Sequence, residues 1–301
     1  MTTIGVFDSG FGGLTVLRAL LALIPNARYV YLGDTARLPY GSKSHETIAR
    51  YAVSSATFLA EQGADLLVIA CNTATALALD DIRAAVRIPV VGVIQPGAEA
   101  ALDSSTKGQR TSVIRSEAPQ GRVEGSAVRP IQSTSADSPH VLVLATAATT
   151  HSGAYTRALN ALGLHATEKA CPLLVPLVEE GWLEEPTQRS VTLEVLHIYL
   201  LEALAQAPRA STLLLGCTHY PLLKPLIETT LRNLRHPMRI IDSAHATAAA
   251  VSALLPEQPA SIPAAPDCDF YATDSIEKFQ RLGSIFLGQP LPSVRLVDLG
   301  G

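Results

Sequence analysis

Short apolar runs alternate along this chain with longer stretches of helical periodicity, and this alternation constrains the fold most strongly. The short runs are rich in Val, Ile and Leu and end in polar or turn residues; they are 4–8, 29–34, 65–71, 90–94, 141–146, 212–217 and 239–242. Helical patterns, with apolar residues near i, i+3 and i+4, cover 14–23, 44–62 and 190–207. Near-continuous apolar strands are buried on both faces, and strand–helix alternation builds parallel βαβ units. The sequence therefore predicts an open, doubly wound α/β fold.

The composition allows a large core and excludes several classes of protein. Of the 301 residues, 48% are hydrophobic and 17% are charged, which suffices for two domains of ordinary size. The net charge is −4 and the sequence contains no basic cluster, so we expect neither nucleic acid nor a membrane as a partner. The N-terminus lacks a signal-peptide pattern, and the most apolar stretch, 64–79, is too short and polar to span a bilayer. A cytoplasmic location is therefore expected.

The four cysteines are widely spaced and form no C-x-x-C pair, so we expect free thiols, no metal and no disulfide framework. Cys71 and Cys217 have matching surroundings: each follows an apolar run and a small residue, and each precedes polar residues and then helical sequence. Cys171 and Cys268 lack this context and are interpreted as small buried side chains. The matched pair indicates chemistry.

A thiol between a strand and the start of a helix lies at the positive end of the helix dipole, which favours the thiolate. A nucleophilic mechanism needs one thiol and a base, so a second equivalent thiol would be surplus. Racemisation instead needs one group on each face of a planar carbanion, to remove the proton and to return it. The pair Cys71 and Cys217 therefore predicts two-base proton transfer at an α-carbon. Asp8 and His219 could each hold a thiol proton, or equally cap a helix.

The glycine-rich loop 8–13 leaves an alternative open. Gly10 and Gly12 fit the start of the dinucleotide motif G-x-G-x-x-G, but Thr15 occupies its third glycine position. Asp34 lies at the expected distance of about 20 residues, at the end of a strand. A nicotinamide site would leave both cysteine motifs unexplained. A glycine turn before a helix also binds carboxylates through its N–H groups.

Seven stretches of this chain resemble bacterial glutamate racemase, a family of the aspartate/glutamate racemase superfamily. They include Ala-Cys-Asn-Thr-Ala around Cys71 and Gly-Cys-Thr-His around Cys217, and they run in family order; they are 5–16, 31–43, 70–76, 145–155, 171–182, 215–223 and 241–244. The resemblance implies two α/β domains related by a pseudo-twofold axis, with the active site in the cleft between them. It also implies an isomerase that interconverts L- and D-glutamate without pyridoxal phosphate or another cofactor, and that supplies D-glutamate for peptidoglycan.

The resemblance assigns roles to individual residues. Cys71 and Cys217 would be the acid/base residues, with Asp8 assisting Cys71, and with His219 and Glu179 assisting Cys217. The carboxylates and the ammonium group of the substrate would be held by Ser9, Tyr40, Gly41, Asn72, Thr73, Thr218, Thr149 and Ser152. Without the resemblance, Tyr40-Gly41 reads equally well as a turn, and Glu179 as a solvated helix end.

We expect residues 1–97 plus 210–301 to form the first domain, carrying Cys71 and Cys217, and residues 98–209 to form the second. Residues 103–139 are rich in Ser, Gly, Pro and Arg and are longer than the family's usual connection, which predicts a flexible insert on the surface of the second domain. A Pro/Ala-rich linker, 256–266, precedes a last αβ unit near 270–299. The oligomeric state stays open, with a homodimer as one option.

Other functions stay open besides glutamate racemisation. A racemase on the same scaffold could act on aspartate or a hydantoin, because pocket shape decides side-chain length. A non-catalytic binding protein is a second alternative, although such a homologue would be expected to have lost a cysteine or Asp8, and both cysteines and Asp8 are present.

Overall fold

The computed structural model describes residues 1–113, 138–255 and 267–300. The strands are β1 (Thr3–Asp8), β2 (Arg28–Gly33), β3 (Leu66–Ile69), β4 (Val90–Gly92), β5 (His140–Ala145), β6 (His165–Ala170), β7 (Thr212–Gly216), β8 (Arg239–Asp242), β9 (Asp267–Ala272) and β10 (Val294–Leu296). The α-helices are α1 (Leu14–Leu23), α2 (His45–Glu61), α3 (Asn72–Ala85), α4 (Ile94–Val113), α5 (Ala147–Ser152), α6 (Ala154–Ala161), α7 (Leu174–Glu179), α8 (Pro186–Gln206), α9 (Lys224–Asn233), α10 (Ser243–Leu254) and α11 (Ile276–Leu287).

The strands of the described residues form two sheets, and their pairings are parallel. The first sheet has the order β10-β9-β2-β1-β3-β4, and the second has the order β6-β5-β7-β8. Helices connect successive strands, as the alternating pattern requires. Strands β1, β3 and β7 are buried along their whole length, which explains their near-continuous Val, Ile and Leu content. The predicted α/β fold with parallel sheets is confirmed.

The two sheets share one strand order. The segment β2-β1-β3-β4 of the first sheet and the whole second sheet, β6-β5-β7-β8, follow the same path when the strands are numbered along the chain. Parallel strands end at the same edge of a sheet, so the residues after β1 and β3 lie together, as do those after β5 and β7. Cys71 follows β3 and Cys217 follows β7. The cysteines therefore occupy equivalent positions in the two sheets.

The strands of the predicted first domain are divided between the two sheets. Residues 210–301 are predicted to belong to that domain, whereas their strands β7 and β8 lie in the second sheet, where β7 pairs with β5 from Val141↔Thr212 onward and β8 pairs with β7. Only β9 and β10 return to the first sheet, where β9 pairs with β2. Cys217 therefore belongs to the second sheet. We propose that the domains follow the sheets, with 1–92 and 267–300 in one and 138–242 in the other.

The sheets are joined through a common apolar core. Helix α1 packs against α10, and α10 packs against α4. Buried side chains such as Leu17 of α1, Leu142 of β5 and Val251 of α10 belong to one continuous cluster. Burial of such side chains stabilises each by about 1.5–3 kcal/mol relative to exposure. This core holds the ends of the two sheets in a fixed relation.

Several local features differ from the sequence prediction. Strand β6 was not predicted, because its sequence His-Ala-Thr-Glu-Lys-Ala is polar and the strand lies at the edge of the second sheet. Helix α8 begins at Pro186, four residues before the predicted start at 190, because proline suits the first position of a helix. Residues 103–113 belong to helix α4 rather than to a structureless insert.

Residues 114–137 of the predicted insert and the whole of the predicted linker, 256–266, lie outside the described residues. Within the ranges that the structure does describe, no helix is both long enough and apolar enough to cross a membrane.

Candidate active site

A cavity of about 720 Å³ lies at the strand ends that carry the two cysteines. Its wall includes residues that directly follow the inner strands of both sheets: Ser9 after β1, Cys71 shortly after β3, Thr146 after β5 and Cys217 after β7. Both thiols are largely enclosed, with Cys71 5% exposed and Cys217 6% exposed. A second cavity of about 590 Å³ lies among α3, α4 and α6 and is lined by none of the predicted site residues. The larger cavity is therefore the candidate active site.

Cys71 is the N-cap of helix α3. Its sulfur accepts the N–H of Ala74 at 3.4 Å, and its thiol donates to Ser9 Oγ at 3.3 Å. Burial, and then the nearby charge of Asp8, raise the pKa of Cys71 to about 12. The helix dipole was expected to favour the thiolate, but burial and Asp8 outweigh it. The Cys71 thiol is protonated at neutral pH.

Asp8 ends β1 as a buried carboxyl group, 1% exposed. Its Oδ2 accepts the N–H of Gly10 at 2.9 Å, whereas its buried Oδ1 has no hydrogen-bond partner among the described residues. Burial raises the pKa of Asp8 above its ordinary value of 3.8, and the charge of His219 opposes that shift. Asp8 does not line the cavity itself. A buried carboxyl group whose charge acts on Cys71 is suited to exchange a proton with that thiol.

Cys217 faces a histidine that is held by a carboxylate. The Cys217 Sγ lies 3.9 Å from His219 Nδ1, and His219 Nε2 lies 3.1 Å from Glu179 Oε1. Burial alone lowers the pKa of His219, but the hydrogen bonds with Cys217 and Glu179 outweigh burial and raise the pKa to about 10. His219 is therefore an imidazolium at neutral pH. It supplies a positive charge next to the Cys217 sulfur.

Glu179 ends helix α7 and is paired on both oxygens. Oε1 meets His219, and Oε2 lies 3.9 Å from Lys278 Nζ. Burial opposes ionisation, but the hydrogen bond and charge of His219, together with the charge of Lys278, lower the pKa of Glu179 below 4.5. Lys278 also lines the cavity and is not among the site residues predicted from the sequence. It lies on helix α11, far along the chain from either cysteine motif, so no local pattern marks it.

Three threonine hydroxyl groups form a triangle at the edge of the cavity. Thr73 Oγ1 lies 3.1 Å from Thr146 Oγ1 and 3.2 Å from Thr149 Oγ1, and the last two atoms are 3.0 Å apart. Thr73 and Thr146 line the cavity, but Thr149 does not. Thr146 is not among the site residues predicted from the sequence, although its position at the end of an apolar run was a usable signal. Ser152 also lies outside the cavity wall, where its hydroxyl donates to the carbonyl of Thr149 at 2.6 Å.

The other predicted substrate-binding residues are brought together in the cavity wall; they are Ser9, Tyr40, Gly41, Asn72, Thr73 and Thr218. Tyr40 presents its ring, because its hydroxyl donates to Asp34 Oδ2 at 2.5 Å. Asp34 is fully buried, and its other oxygen accepts from Thr273 at 2.9 Å. Asp34 is therefore unavailable to a ribose hydroxyl, which removes the strongest support for a nicotinamide site.

The glycine loop brings the two sheets into contact at the cavity. A Cβ atom built on Gly12 would lie 2.1 Å from Thr218 Oγ1 and 2.7 Å from His219 Nδ1. A side chain at this position would force the loop after β1 or the residues after β7 to shift. The second glycine of the loop thus favours the close approach of the two sheets.

The remaining thiols take no part in this cavity. Cys171 and Cys268 do not line it, and all four cysteines are free. Within residues 1–113, 138–255 and 267–300, no group of three or more His, Cys, Asp or Glu side chains is arranged to hold a metal ion.

Comparison with known proteins identifies the relatives of this chain. The family model for Asp/Glu/hydantoin racemase matches residues 12–132 and 122–251. Glutamate racemase of Koribacter versatilis is 46% identical over 99% of this chain and 98% of its own length. Glutamate racemase of Aquifex aeolicus is 40% identical over 95% of this chain and 94% of its own length. The crystal structure of glutamate racemase from Francisella tularensis in complex with D-glutamate has a TM-score of 0.78 and 30% identity, covering 99% of this chain and 98% of that chain.

Two parallel sheets with a shared cavity at their strand ends, together with these matches, define an amino-acid racemase, which is an isomerase. The chain belongs to the Asp/Glu/hydantoin racemase family. The resemblance to bacterial glutamate racemase, first seen in the sequence motifs, is confirmed.

Proposed function

We propose that this enzyme interconverts L- and D-glutamate by proton transfer at Cα between two cysteines, without a cofactor. The observation that carries the proposal is the placement of Cys71 and Cys217, which follow equivalent strands of two like sheets and line one cavity. The relatives, which are 37–46% identical to this chain, are glutamate racemases, and this supports glutamate as the substrate.

The proposed reaction requires one thiolate and one thiol on opposite faces of the substrate. The thiolate takes the Cα proton, so an S–H bond forms and the electron pair of the broken C–H bond delocalises into the α-carboxylate. The opposite thiol then gives its proton to the other face of Cα and becomes a thiolate. The proton count is unchanged, and the enzyme is left ready for the reverse reaction.

The groups beside the thiols would set the proton inventory. In one direction, Asp8 would accept the proton of Cys71 and so generate the base, while Cys217 stays a thiol and gives its proton to the other face. In the reverse direction, Cys217 would be the thiolate, paired with the His219 imidazolium, and Cys71 would be the thiol, while Glu179 holds the imidazole ring in place. These groups interact closely, so their titrations belong to the site rather than to single residues.

The substrate's charged groups would be held chiefly by neutral donors. Ser9, Thr73 and Thr218 offer hydroxyl groups in the cavity wall, and the Asn72 amide offers an N–H₂ group that is buried and has no partner among the described residues. Thr149 and Ser152, for which direct binding was expected, lie behind this wall. We propose that Thr149 acts through Thr73 instead, and that Ser152 orders the end of helix α5.

A supply of D-glutamate for peptidoglycan is the physiological role that we propose. Such a role places the reaction in the cytoplasm, where the precursors of peptidoglycan are made. It is consistent with the glutamate racemases among the relatives.

Incubation of the purified enzyme in D₂O with L- or D-glutamate, and with no added cofactor, tests the function. We expect the optical rotation to decay to zero while deuterium enters at Cα. L-Aspartate and a hydantoin serve as parallel substrates, and we expect racemisation of each to be at least about tenfold slower than that of glutamate, since a missing side-chain contact is worth about 1–3 kcal/mol. Faster racemisation of aspartate would overturn the substrate assignment. Binding of glutamate without deuterium exchange would indicate a non-catalytic protein.

A further inference from the structure

A buried tyrosine, on a helix that packs against the second sheet, contacts the residue that follows Cys71. Tyr155, on helix α6, is fully buried, and its hydroxyl donates to Asn72 Oδ1 at 2.6 Å. Asn72 is the first residue of helix α3, directly after Cys71, and it lines the cavity. The two residues are 83 positions apart in the chain. The contact therefore connects the second sheet to the substrate-facing wall of the first.

This hydrogen bond determines which end of the Asn72 amide is available. Since Oδ1 accepts from Tyr155, the Nδ2 group remains as a donor, and it is buried with no hydrogen-bond partner among the described residues. A buried amide N–H₂ without a partner is costly, so such a group in a cavity wall points to an acceptor on the ligand. Rotation of the amide would place N–H₂ against the phenol O–H and offer a carbonyl to the ligand.

The same ring also lies against the second cysteine motif. A Cβ atom built on Gly216 would lie 2.9 Å from Tyr155 Cε2. Gly216 ends strand β7 and directly precedes Cys217. Burial raises the pKa of Tyr155 far above its ordinary value of 10.0, so the hydroxyl stays protonated and keeps its donor role. One side chain thus touches the residue after Cys71 and the residue before Cys217.

We infer that Tyr155 is a positioning residue for racemisation: through its hydrogen bond to Asn72 it orients the amide N–H₂ toward a carboxylate of the bound amino acid. The inference rests on the proposed function. Tyr155 contacts no substrate atom itself, so its effect passes through Asn72.

Tyr155→Phe tests the inference, because it removes the hydroxyl and keeps the ring against Gly216. We expect KM for glutamate to rise about tenfold, the value of one hydrogen bond to a charged group, with kcat changed less than about twofold. Asn72→Ala should raise KM at least as much. In the double variant the two effects should not add, because both substitutions remove the same oriented donor.

Tyr29→Phe is the matched control. Tyr29 is also fully buried, and its hydroxyl donates to the carbonyls of Ile24 at 2.7 Å and Leu20 at 3.1 Å, away from the cavity. Tyr29→Phe should lose about as much thermal stability as Tyr155→Phe and should keep wild-type kinetics. A wild-type KM in Tyr155→Phe, or additive effects in the double variant, would overturn the inference. If Tyr155→Phe does not fold, an unchanged KM in Asn72→Ala overturns it equally. Wild-type enzyme that fails to racemise glutamate would instead overturn the proposed function.

Discussion

His219 Nε2 lies 3.1 Å from Glu179 Oε1, so the imidazole next to Cys217 is held on its far side by a carboxylate. The ring also packs edge-on against Phe286, with ring centroids 4.9 Å apart. Near the other thiol, Cys71, the carboxyl group is that of Asp8, and its Oδ1 has no hydrogen-bond partner among the described residues. The surroundings of the two cysteines are therefore chemically unlike, and several measurable consequences follow from individual residues.

Glu179→Gln should weaken the dependence of stability on pH. The pKa of His219 is raised from 6.5 to about 10 in the folded protein, so its contribution to stability is full below about pH 6.5 and is lost as the pH rises through about 10. Without the Glu179 carboxylate, the folded pKa moves back toward its ordinary value and this loss shrinks. Urea unfolding at pH 6 and at pH 10 measures the effect.

Glu180→Gln is the control for this measurement, because it removes the same charge from the adjacent, exposed residue. Its stability should change with pH as that of the wild type does. Equal pH dependence in Glu179→Gln and wild type would contradict the charged His219–Glu179 pair.

Cys71→Ser and Cys217→Ser should each reduce the racemisation rate by at least about 10²-fold, the usual contribution of one acid/base group. A hydroxyl group has nearly the shape of the thiol but is a far weaker acid, so the face that carries the substitution can no longer exchange its proton efficiently, and racemisation needs both faces. Polarimetry with L- and D-glutamate measures the rates. Cys268→Ser, at a thiol outside the cavity, should retain wild-type activity. Full activity in either site variant would refute the two-cysteine mechanism.

Gly12→Ala should impair both stability and activity. The new methyl group would meet Thr218 Oγ1 at 2.1 Å, so the loop or the Cys217 motif must shift, and such overpacking costs about 1–3 kcal/mol. We expect a lower melting temperature and a fall in kcat/KM of at least about tenfold, since misplaced catalytic groups lose rate steeply.

Gly97→Ala provides the comparison for Gly12→Ala. The nearest atom to a Cβ built at Gly97 is 3.4 Å away, so the methyl group fits there, and Ala also favours the helix. Its kinetics should stay within about twofold of wild type. Wild-type kinetics in Gly12→Ala would show that the close approach of the two sheets is not required.

Thr149→Val should raise KM although Thr149 does not line the cavity. The substitution keeps the shape but removes one corner of the hydroxyl triangle, so Thr73 loses one of its two hydroxyl partners and keeps only Thr146. One neutral hydrogen bond is worth about 1 kcal/mol, so we expect an increase of about fivefold. Thr150→Val should have no such effect, because the buried Thr150 hydroxyl has no partner among the described residues. Equal KM values for the two variants would argue against a supporting role for Thr149.

The sequence allowed the fold class and both cysteines to be predicted, because burial and strand ends leave local patterns. The apolar run before Cys217 marks β7 as a strand, but it does not say which strand lies beside it. Pairing with β5 follows from the path of the whole chain, so the sequence alone did not predict which sheet Cys217 follows.

The contacts that shape the cavity wall could not be predicted in the same way. Tyr155 and Asn72 meet across 83 residues, and Lys278 reaches Glu179 from the last helix of the described chain. Such contacts depend on packing in three dimensions, and neither periodicity nor residue spacing records them. Strand β6 was missed for a different reason, since a polar edge strand has no apolar run to mark it.

The unlike surroundings of Cys71 and Cys217 have a consequence for the two directions of the reaction. The enantiomers of an amino acid have the same free energy in water, so a racemase leaves them in equal amounts. The ratio kcat/KM must then be the same from either enantiomer, however different the two faces of the site are. The asymmetry between an Asp8-linked thiol and a His219-linked thiol can appear only as paired changes: the enantiomer with the higher KM is also the one with the higher kcat, by the same factor.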